Sequence, residues 1–570
     1  MGRPGIRIDR DVEMRTRDGV ILRADVWRPD ISTPVPAIVA RTPYDKTRTS
    51  LTNRYLPPLL AADAGFAFVV QDIRGRYSSD GEWDLVDLRT ANVADGYDCV
   101  EWVASEPWCD GHVGMSGGSY VGVTQLSAAD GHPPSLRAIA PSLLGMGAKR
   151  VLSHYLPLES LTIGWIGTVA LDHLSKKIAS GEADPAEVLK VVDALTHPDV
   201  ASAALPLNDI LVIDAVDLPS YREVMDMVVD AIAGGQVTDF EVPALWTTGW
   251  YDYPGGAELF NEMRAGAATE VARTGTRMLF GPWTHTYAEN FVGSFGLGPA
   301  GGALDAMVPQ HHLAYYSRHL RGDDTDVPVV RYYVMGAKVW KDADAWPIPG
   351  TDFQRHYLRS RGRANTAGGD GQLLPDAPPA GERPDRYDYD PFAPVPSWGF
   401  KVMYTGGTTL AGPYEQTRVE KRQDVLVYTS PPLQREVEVV GDISLHIFVT
   451  SSAVDTDFVA KLCVVDRDDN SFNLADGFLR ASLRRGWAEV APLEPGVVEE
   501  LVIEMGPTGY RFRPGESIRV QITSSAFPHL ARNMNTGLPI ESDAGGIVAH
   551  QTVLHDADHP SYLVLPVVPG

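Results

Sequence analysis

The sequence is poor in cysteine, in long apolar runs and in basic residues. Three of its 570 residues are cysteines, namely Cys99, Cys109 and Cys463. Thiols so few and so scattered exclude a disulfide framework and a Cys-rich zinc module, and they predict a reducing, cytoplasmic compartment. The sequence contains no run of about 18 apolar residues, so no helix is expected to span a bilayer. Residues 1–20 lack the apolar segment that a signal peptide requires.

The charge balance is acidic, because 49 Lys and Arg residues stand against 74 Asp and Glu residues, giving a formal net charge of −25. Nucleic acids and anionic membranes both attract clustered basic residues, so this balance argues against either partner. The sequence has neither a phosphate-binding P-loop nor a dinucleotide fingerprint, and we expect no cofactor and no metal. The predicted partner is a small-molecule substrate, and a homodimer is left open.

The first part of the chain alternates apolar strands with helical segments. AFVVQDIRG (Ala67–Gly75) is a continuous apolar run typical of a buried parallel strand, and the same texture resumes at VPALWTTGW (Val242–Trp250) and TRMLFGPW (Thr276–Trp283). Strands separated by helices predict an α/β sheet built from βαβ units. We assign residues 1–145 and 241–350 to this α/β domain.

The intervening and final segments have different textures. Residues 146–240 contain LTIGWIGTVALDHLSKKIA and similar helically spaced stretches, which predict a helical cap inserted in the α/β domain. Residues 364–396 are rich in Gly, Pro, Ala and Asp and are expected to form a loop or linker. Within residues 351–570, alternating apolar and polar positions predict an antiparallel β-sandwich domain of the jelly-roll kind.

The sharpest local signal is GGSYVG at residues 117–122. A serine between small residues, after an apolar strand and before a helix, is typical of a nucleophile elbow. Such a turn exposes the hydroxyl of Ser119, and the first N–H groups of the following helix point at a developing oxyanion. The spacing G-x-S-x-x-G is one residue longer than the commonest form. Taken alone, the segment is also explained as a glycine-rich turn.

A serine nucleophile needs a base, and the base needs an acid that orients it. When an elbow opens the site, the acid and then the histidine follow on loops after later strands. Asp252 follows the strand VPALWTTGW, and His285 follows the strand TRMLFGPW. Each residue alone has an ordinary structural explanation, but all three in this order and context predict a catalytic triad of Ser119, His285 and Asp252.

The motifs taken together resemble the cocaine esterase family of α/β-hydrolases, which is related to the X-prolyl dipeptidyl-peptidases, the glutaryl-7-aminocephalosporanic acid acylases and the α-amino-acid ester hydrolases. The resemblance rests on RTPYDK, QDIRGRYSSDGEW, GMSGGSYVG, GWYDYPGG, GPWTH, RHLRG, SSAVDTDF and RNMNTG, which run nearly from end to end. It implies an α/β-hydrolase domain with an inserted helical cap and a C-terminal jelly roll. It also implies that the Tyr44 hydroxyl and the backbone N–H of Tyr120 bind the oxyanion.

The resemblance also implies which positions line the substrate pocket. At some of these positions the sequence differs from the family pattern. Trp165 matches a tryptophan of the acyl pocket, although a core tryptophan of a cap helix explains it equally well. Pro254 stands where the family carries an aromatic residue, while Tyr251 and Tyr253 flank the acid. Trp283 is a further residue predicted to line the pocket. These differences argue against a preference for benzoyl esters.

The predicted function is hydrolysis of a carboxylic ester through a Ser-His-Asp acyl-enzyme. An amide-directed acylase or X-prolyl dipeptidyl-peptidase of the same fold is the alternative, and the triad does not distinguish the two. Lys149 and Arg150 stand at the expected cap entrance, where a substrate amine would require carboxylates, which disfavours the peptidase reading. A non-catalytic binding protein is disfavoured by the complete triad.

Overall fold

The structure is a computed structural model that describes residues 5–48, 54–83, 90–144, 161–210, 236–252, 255–286, 289–401, 410–486 and 489–569, together with residues 215, 220, 222, 223 and 226. No helix among these residues is long and apolar enough to cross a membrane. The boundary predicted at residue 145 lies outside them, so the domain limits remain predictions.

The first part of the chain builds a large sheet. Its strands, with a two-stranded ribbon of β9 and β10 beside it, are Ile6–Arg15 (β1), Ile21–Pro29 (β2), Val35–Thr42 (β3), Ala67–Asp72 (β4), Cys109–Gly118 (β5), Leu136–Ser142 (β6), Leu245–Tyr251 (β7), Arg277–Thr284 (β8), Phe291–Val292 (β9), Phe295–Gly296 (β10), Val330–Val334 (β11) and Val339–Ala343 (β12). Within the described ranges the sheet has ten strands in the order β1-β2-β4-β3-β5-β6-β7-β8-β11-β12.

The strands at the centre of this sheet run parallel, from β4 through β3, β5, β6 and β7 to β8 and β11. Strands β4 and β7 are buried along their whole length, as a parallel strand covered on both faces requires. The edge pairs β1–β2, β2–β4 and β11–β12 are antiparallel. The predicted α/β sheet is confirmed. The carboxyl ends of β3, β5, β7 and β8 therefore meet at one edge, where side chains from distant parts of the sequence come together.

Helices cover the sheet and form the insertion between β6 and β7. Those described are Pro58–Asp63 (α1), Thr90–Ser105 (α2), Tyr120–Asp130 (α3), Gly167–Ser180 (α4), Ala186–Thr196 (α5), Pro198–Ala201 (α6), Gly256–Gly266 (α7), Glu270–Gly275 (α8) and Val308–Tyr316 (α9). A π-helical turn, Leu161–Ile166, leads into α4. The segment predicted as a helical cap is thus helical at residues 161–166, 167–180, 186–196 and 198–201.

The rest of the chain is built mainly from strands. They are Asp352–Arg359 (β13), Gln372–Leu374 (β14), Asp385–Tyr389 (β15), Leu426–Thr429 (β16), Val437–Ser451 (β17), Asp457–Val465 (β18), Ser471–Arg480 (β19), Glu499–Phe512 (β20), Ser517–Thr523 (β21), Ala549–Leu554 (β22) and Tyr562–Val567 (β23), with one short helix, Thr417–Glu420 (α10). In the described residues they are ordered β15-β22-β17-β23-β13-β14-β16-β21-β18-β19, and β20 pairs with β17. Except for β14 with β16, the neighbouring strands are antiparallel.

Residues 364–396, expected to be a loop, contain the short strands β14 and β15. In β15 the side chains of Asp385, Tyr387 and Tyr389 are buried, and those between them are exposed. Five alternating residues, two of them buried tyrosines, suffice to pair with β22. The alternation is too short and too polar to stand out among the surrounding glycines and prolines.

The two sheets meet through backbone contacts beside β7. The Met335 N–H donates to the Gly509 carbonyl at 2.8 Å, and the Arg511 N–H donates to the Met335 carbonyl at 2.9 Å. The Trp250 indole donates to the Tyr333 carbonyl at 2.7 Å. Gly509 has to be glycine here, since a Cβ would lie 2.7 Å from Trp250 Cζ2. The C-terminal sheet therefore supports the strand that leads to Asp252.

Candidate active site

Ser119 occupies a strained turn between β5 and α3. Its φ of +58° and ψ of −127° lie outside the regions that L-residues ordinarily adopt. The neighbours are small for a physical reason: a Cβ on Gly118 would lie 3.2 Å from the Ser142 carbonyl oxygen, and one on Gly122 would lie 2.7 Å from Leu144 Cδ1. This close approach of helix and strand lifts the serine hydroxyl to the edge of the sheet.

The structure brings Ser119, His285 and Asp252 into one hydrogen-bonded chain. His285 Nε2 lies 3.1 Å from Ser119 Oγ, and His285 Nδ1 lies 2.9 Å from Asp252 Oδ1. Asp252 directly follows β7 and His285 directly follows β8, so neighbouring parallel strands deliver both side chains to the same edge. Both are buried, which strengthens the pairing of the carboxylate with the imidazole. With Nδ1–H donated to Asp252, the Nε2 lone pair faces the serine hydroxyl.

Tyr44 follows β3 and reaches the same point. Its phenolic oxygen accepts a hydrogen bond from Trp165 Nε1 at 2.9 Å. Burial raises the pKa of Tyr44, while hydrogen bonds with Trp165 and Ser119 act in the opposite direction. The phenol therefore stays protonated at neutral pH. Because the indole N–H occupies one side of the oxygen, the O–H proton remains available as a donor near Ser119.

Comparisons with known proteins place the chain in a family. Residues 18–287 match the X-Pro dipeptidyl-peptidase (S15 family), and residues 324–564 match the X-Pro dipeptidyl-peptidase C-terminal non-catalytic domain. Over 590 residues the sequence is 35% identical to the cocaine esterase of Rhodococcus sp. (strain MB1 Bresler), with 98% of each chain covered. The chain belongs to the cocaine esterase family.

Solved structures agree on the fold. An aminopeptidase from the marine sediment archaeon Thaumarchaeota archaeon has a TM-score of 0.76 at 22% identity, and an α-amino acid ester hydrolase has a TM-score of 0.73 at 21% identity. Each match covers 100% of this chain and 97% of the chain of the solved structure. The predicted α/β-hydrolase fold with a β-rich C-terminal domain is confirmed, as is the family resemblance. As a member of the cocaine esterase family, the chain is a serine esterase.

In this family member, Tyr120 is part of an aromatic cluster beside the serine. Its ring is stacked on Trp165 with centroids 6.2 Å apart and meets Tyr44 edge-on at 6.4 Å. Its hydroxyl accepts a hydrogen bond from Asn92 Nδ2 at 3.2 Å. Tyr120 is the first residue of α3, where a backbone N–H has no intrahelical acceptor. The ring contacts hold the Tyr120 side chain, and its position as the first helical residue leaves the N–H next to Ser119 without an intrahelical acceptor.

A cavity of about 150 Å³ opens at Ser119. Its described lining comprises Tyr44, Arg54, Tyr55, Leu56, Ser116, Gly117, Gly118, Ser119, Ser142, Leu143, Thr168, His285 and Thr286. This volume is below the roughly 300–1,000 Å³ of sites for drug-sized ligands. The cavity therefore fits a small acyl or alcohol group.

Several cavity residues carried no signal in the sequence. Arg54, Tyr55 and Leu56 stand 10 to 12 residues after Tyr44 in the sequence, and no motif marks them. Leu143 and Thr168 come from the end of β6 and from α4. Only the way the chain folds brings these loops and helices together. The signal that could have identified Arg54, Tyr55 and Leu56 is their position after β3, because β3 ends at the same edge of the sheet as Ser119.

The residues predicted to line the pocket are placed differently. Trp165 is buried and contacts Tyr44 instead of lining the cavity. Tyr251 is fully buried and donates its hydroxyl to the Asn473 carbonyl of β19 at 3.2 Å. Trp283 is fully buried, and its ring lies 5.3 Å from that of Tyr55, so it backs the cavity wall. Tyr253 and Pro254 lie outside the described residues, as do Lys149 and Arg150.

In the part of the chain that the structure covers, no three His, Cys, Asp or Glu side chains are grouped so as to hold a metal ion. His285 is hydrogen-bonded to Asp252, and the cavity lining that the structure describes contains no Asp or Glu. The described residues of the site supply a serine hydroxyl, an imidazole and hydrogen-bond donors.

Proposed function

We propose that the enzyme hydrolyses small carboxylic esters through an acyl-enzyme on Ser119. The observation that carries this is the chain of hydrogen bonds from Ser119 through His285 to Asp252 beside the cavity. His285 takes the hydroxyl proton as Ser119 Oγ attacks the ester carbonyl. Asp252 holds the imidazole in the required tautomer and stabilises the imidazolium that forms.

Tyr44 and the backbone N–H of Tyr120 form the oxyanion hole in this proposal. Both donors stand beside Ser119, one from the loop after β3 and the other from the first turn of α3. As the carbonyl oxygen becomes negative, the two donors stabilise it. His285 then protonates the departing alkoxide. A water molecule, deprotonated by the same imidazole, releases the acid and restores Ser119.

The charges of the cavity favour an ester over a substrate with a free amine. An aminopeptidase-type substrate needs a carboxylate to bind its ammonium group. Among the cavity residues that the structure describes there is no Asp or Glu, and the side chain with a permanent charge is Arg54. The ammonium group of such a substrate would be repelled by the Arg54 guanidinium.

The test is the Ser119→Ala variant, measured with p-nitrophenyl acetate and butyrate. We expect kcat to fall by at least about 10³-fold with an unchanged circular dichroism spectrum. Ser105→Ala, an exposed serine at the end of α2, is the matched control and should keep full activity. A fluorophosphonate probe should label the parent enzyme and Ser105→Ala but not Ser119→Ala. Equal ester hydrolysis by Ser119→Ala contradicts the proposal.

Ester and amide preference is tested with matched p-nitrophenyl esters and p-nitroanilides of the same acyl groups. We expect the anilides to react orders of magnitude more slowly. Comparable rates would favour an acylase or peptidase of the same fold.

We further propose a cytoplasmic location and a jelly-roll topology for the C-terminal β domain. The first is supported by the three cysteines, all free and buried. The second is supported by long-range antiparallel pairs such as β15–β22 and β17–β23. Fractionation of the native host and an experimental structure of the domain are the respective tests.

A further inference from the structure

Arg54 brings a positive charge into the cavity beside the proposed base. Its Nη1 donates to the backbone carbonyl oxygen of His285 at 2.9 Å, which fixes the guanidinium at the edge of the site. The side chain is half-buried, and no carboxylate among the described residues forms an ion pair with it. The other N–H groups of the fork have no carboxylate partner among the described residues and can donate to a ligand.

Two further polar groups of the cavity wall have no partner among the described residues. They are the Tyr55 hydroxyl and Thr286 Oγ1, both buried. The Tyr55 side chain is 4% exposed, and its ring is held between Trp283 and His312, with centroids 5.3 and 6.0 Å away. Burial raises the pKa of Tyr55, so the phenol remains a donor at neutral pH. A buried polar group without a partner destabilises the protein, and a ligand atom that bonds to it would recover that loss.

These groups are matched to one ligand chemistry. A guanidinium with free N–H groups binds a carboxylate through paired hydrogen bonds, and two hydroxyl groups add further donors. Leu56 and Leu143 supply apolar wall for a short chain between the charged group and the ester. Since Arg54 is bonded to the backbone of His285, the carboxylate would lie only a few bonds from the scissile carbonyl.

We propose that the cavity selects esters that carry a carboxylate a few bonds from the scissile carbonyl, and that Arg54 is the residue that binds this carboxylate. The inference rests on the proposed esterase function and names its substrate class. The competing explanation is that Arg54 only holds the His285 loop in place, in which case charged and neutral esters would respond alike to its removal.

The test compares monomethyl succinate with methyl 4-methylpentanoate, in which an isopropyl group replaces the carboxylate at nearly the same size. Methanol release gives kcat/KM for each. In Arg54→Gln we expect the ratio of kcat/KM for the charged ester to that for the neutral ester to fall by about 10- to 100-fold, mainly through KM. Arg54→Lys should recover part of the ratio. An unchanged ratio in Arg54→Gln overturns the proposal, including the case in which both esters slow together.

Arg48→Gln is the matched control for loss of a nearby positive charge. Arg48 is exposed, stands six residues before Arg54 in the sequence and is not among the described residues that line the cavity. We expect it to leave the ratio unchanged. A fall equal to that of Arg54→Gln would mean that general electrostatic attraction sets the preference, and would also overturn the proposal.

A binding measurement separates this proposal from the esterase proposal. Calorimetry with monomethyl succinate is carried out on Ser119→Ala and on Ser119→Ala with Arg54→Gln. Binding to the first and at least about tenfold weaker binding to the second supports the Arg54 site, even if the parent enzyme hydrolyses neither ester and the esterase proposal fails. Equal binding to both, with hydrolysis of the neutral ester by the parent enzyme, overturns the Arg54 site alone.

Discussion

Trp165 donates its indole N–H to the phenolic oxygen of Tyr44 at 2.9 Å, across the boundary between the helical insertion and the α/β sheet. The donor lies in the turn before α4, and the acceptor lies in the loop after β3. Because the indole takes one side of the oxygen, the Tyr44 O–H has fewer directions in which to point. The insertion thus orients a proposed oxyanion donor in addition to covering the site.

Trp165→Phe should lower kcat by about 2- to 10-fold, since it removes one hydrogen bond while keeping an aromatic ring against Tyr120. Tyr44→Phe should lower kcat by about 100- to 1,000-fold, because it removes the oxyanion donor itself. If Trp165 acts through Tyr44, the double variant should be no slower than Tyr44→Phe alone. Independent, multiplying effects in kcat would show instead that Trp165 acts on the substrate or on the fold.

The sequence predicts those residues of the site that stand directly after an apolar strand. Ser119, Asp252 and His285 each stand at the end of an apolar run, and the parallel order of those strands brings them to one edge. Trp165 and Arg54 have no such signal. Trp165 has the spacing of an ordinary core residue, and its contact with Tyr44 arises only when the insertion packs on the sheet. From the sequence alone Arg54 would be predicted to be an exposed loop residue. Its contact with the His285 carbonyl forms only in the folded chain.

A similar reason explains the aromatic residues around the acid. Tyr251 was expected in the pocket because it directly precedes Asp252 in the sequence. Successive side chains of a strand point to opposite faces, so a neighbour of a site residue turns away from the site. Tyr251 accordingly points towards the C-terminal domain and contacts Asn473.

His555 should give the C-terminal domain a stability that depends on pH. Its Nε2 lies 3.0 Å from Asp385 Oδ2, and its Nδ1 lies 3.1 Å from Glu382 Oε2. Burial lowers the pKa of His555, but the hydrogen bonds and charges of the two carboxylates outweigh it, so the pKa is raised above the ordinary value. A raised folded pKa means that the stabilisation is complete below the unfolded pKa of about 6.5 and is lost as the pH rises through the folded value.

The measurement is the free energy of unfolding in denaturant between pH 5.5 and about pH 9, the range around the unfolded histidine pKa. We expect the difference in stability between the parent enzyme and His555→Gln to shrink as the pH rises. His550→Gln is the control, since His550 is exposed and pairs with Asp388 at the surface. The same pH slope in all three proteins would show that His555 is not the source.

Ser360 should not react with a serine-directed probe, although its distances mimic those of the triad. Its Oγ lies 3.1 Å from His555 Nε2, and Glu382 lies behind the histidine. However, Ser360 Oγ donates to Asp385 at 2.7 Å and accepts from the Gly362 N–H at 2.9 Å, so it is not free to attack. Peptide mapping after fluorophosphonate treatment should find no label on Ser360. A labelled Ser360 peptide would reveal a second reactive serine.

Arg76 should be needed to hold the insertion against the sheet. Both of its Nη atoms donate to the Val169 carbonyl at 3.1 Å, its Nε donates to the Pro43 carbonyl at 3.1 Å, and Nη1 lies 3.4 Å from Asp172 Oδ2. Arg76→Met removes the donor to two buried carbonyls and the nearest cation of Asp172, for which we expect a loss of about 3 kcal/mol in the free energy of unfolding. Activity should fall as well, since Pro43 precedes Tyr44.

The Arg76 prediction has its own internal control. Adding Asp172→Asn to Arg76→Met removes the carboxylate as well and should recover part of the stability, because without Arg76 the carboxylate is compensated less well, by Lys176 at 3.7 Å. No recovery would mean that the hydrogen bonds to Val169 and Pro43, and not the ion pair, carry the effect.

Gly509→Ala should show that the C-terminal domain supports the acid of the triad. A Cβ at this position would lie 2.7 Å from Trp250 Cζ2 and 2.9 Å from the Tyr333 carbonyl oxygen, and neither backbone nor buried indole can yield freely. Overpacking of this kind costs about 1–3 kcal/mol of stability. Because Trp250 is two residues before Asp252, a shift of the indole should also displace the carboxylate from His285 and lower kcat. Gly368→Ala is the control, since the nearest atom to its Cβ would be 3.7 Å away. A Gly509→Ala enzyme that loses stability but keeps its kcat would show that the domain contact holds the fold together without positioning Asp252.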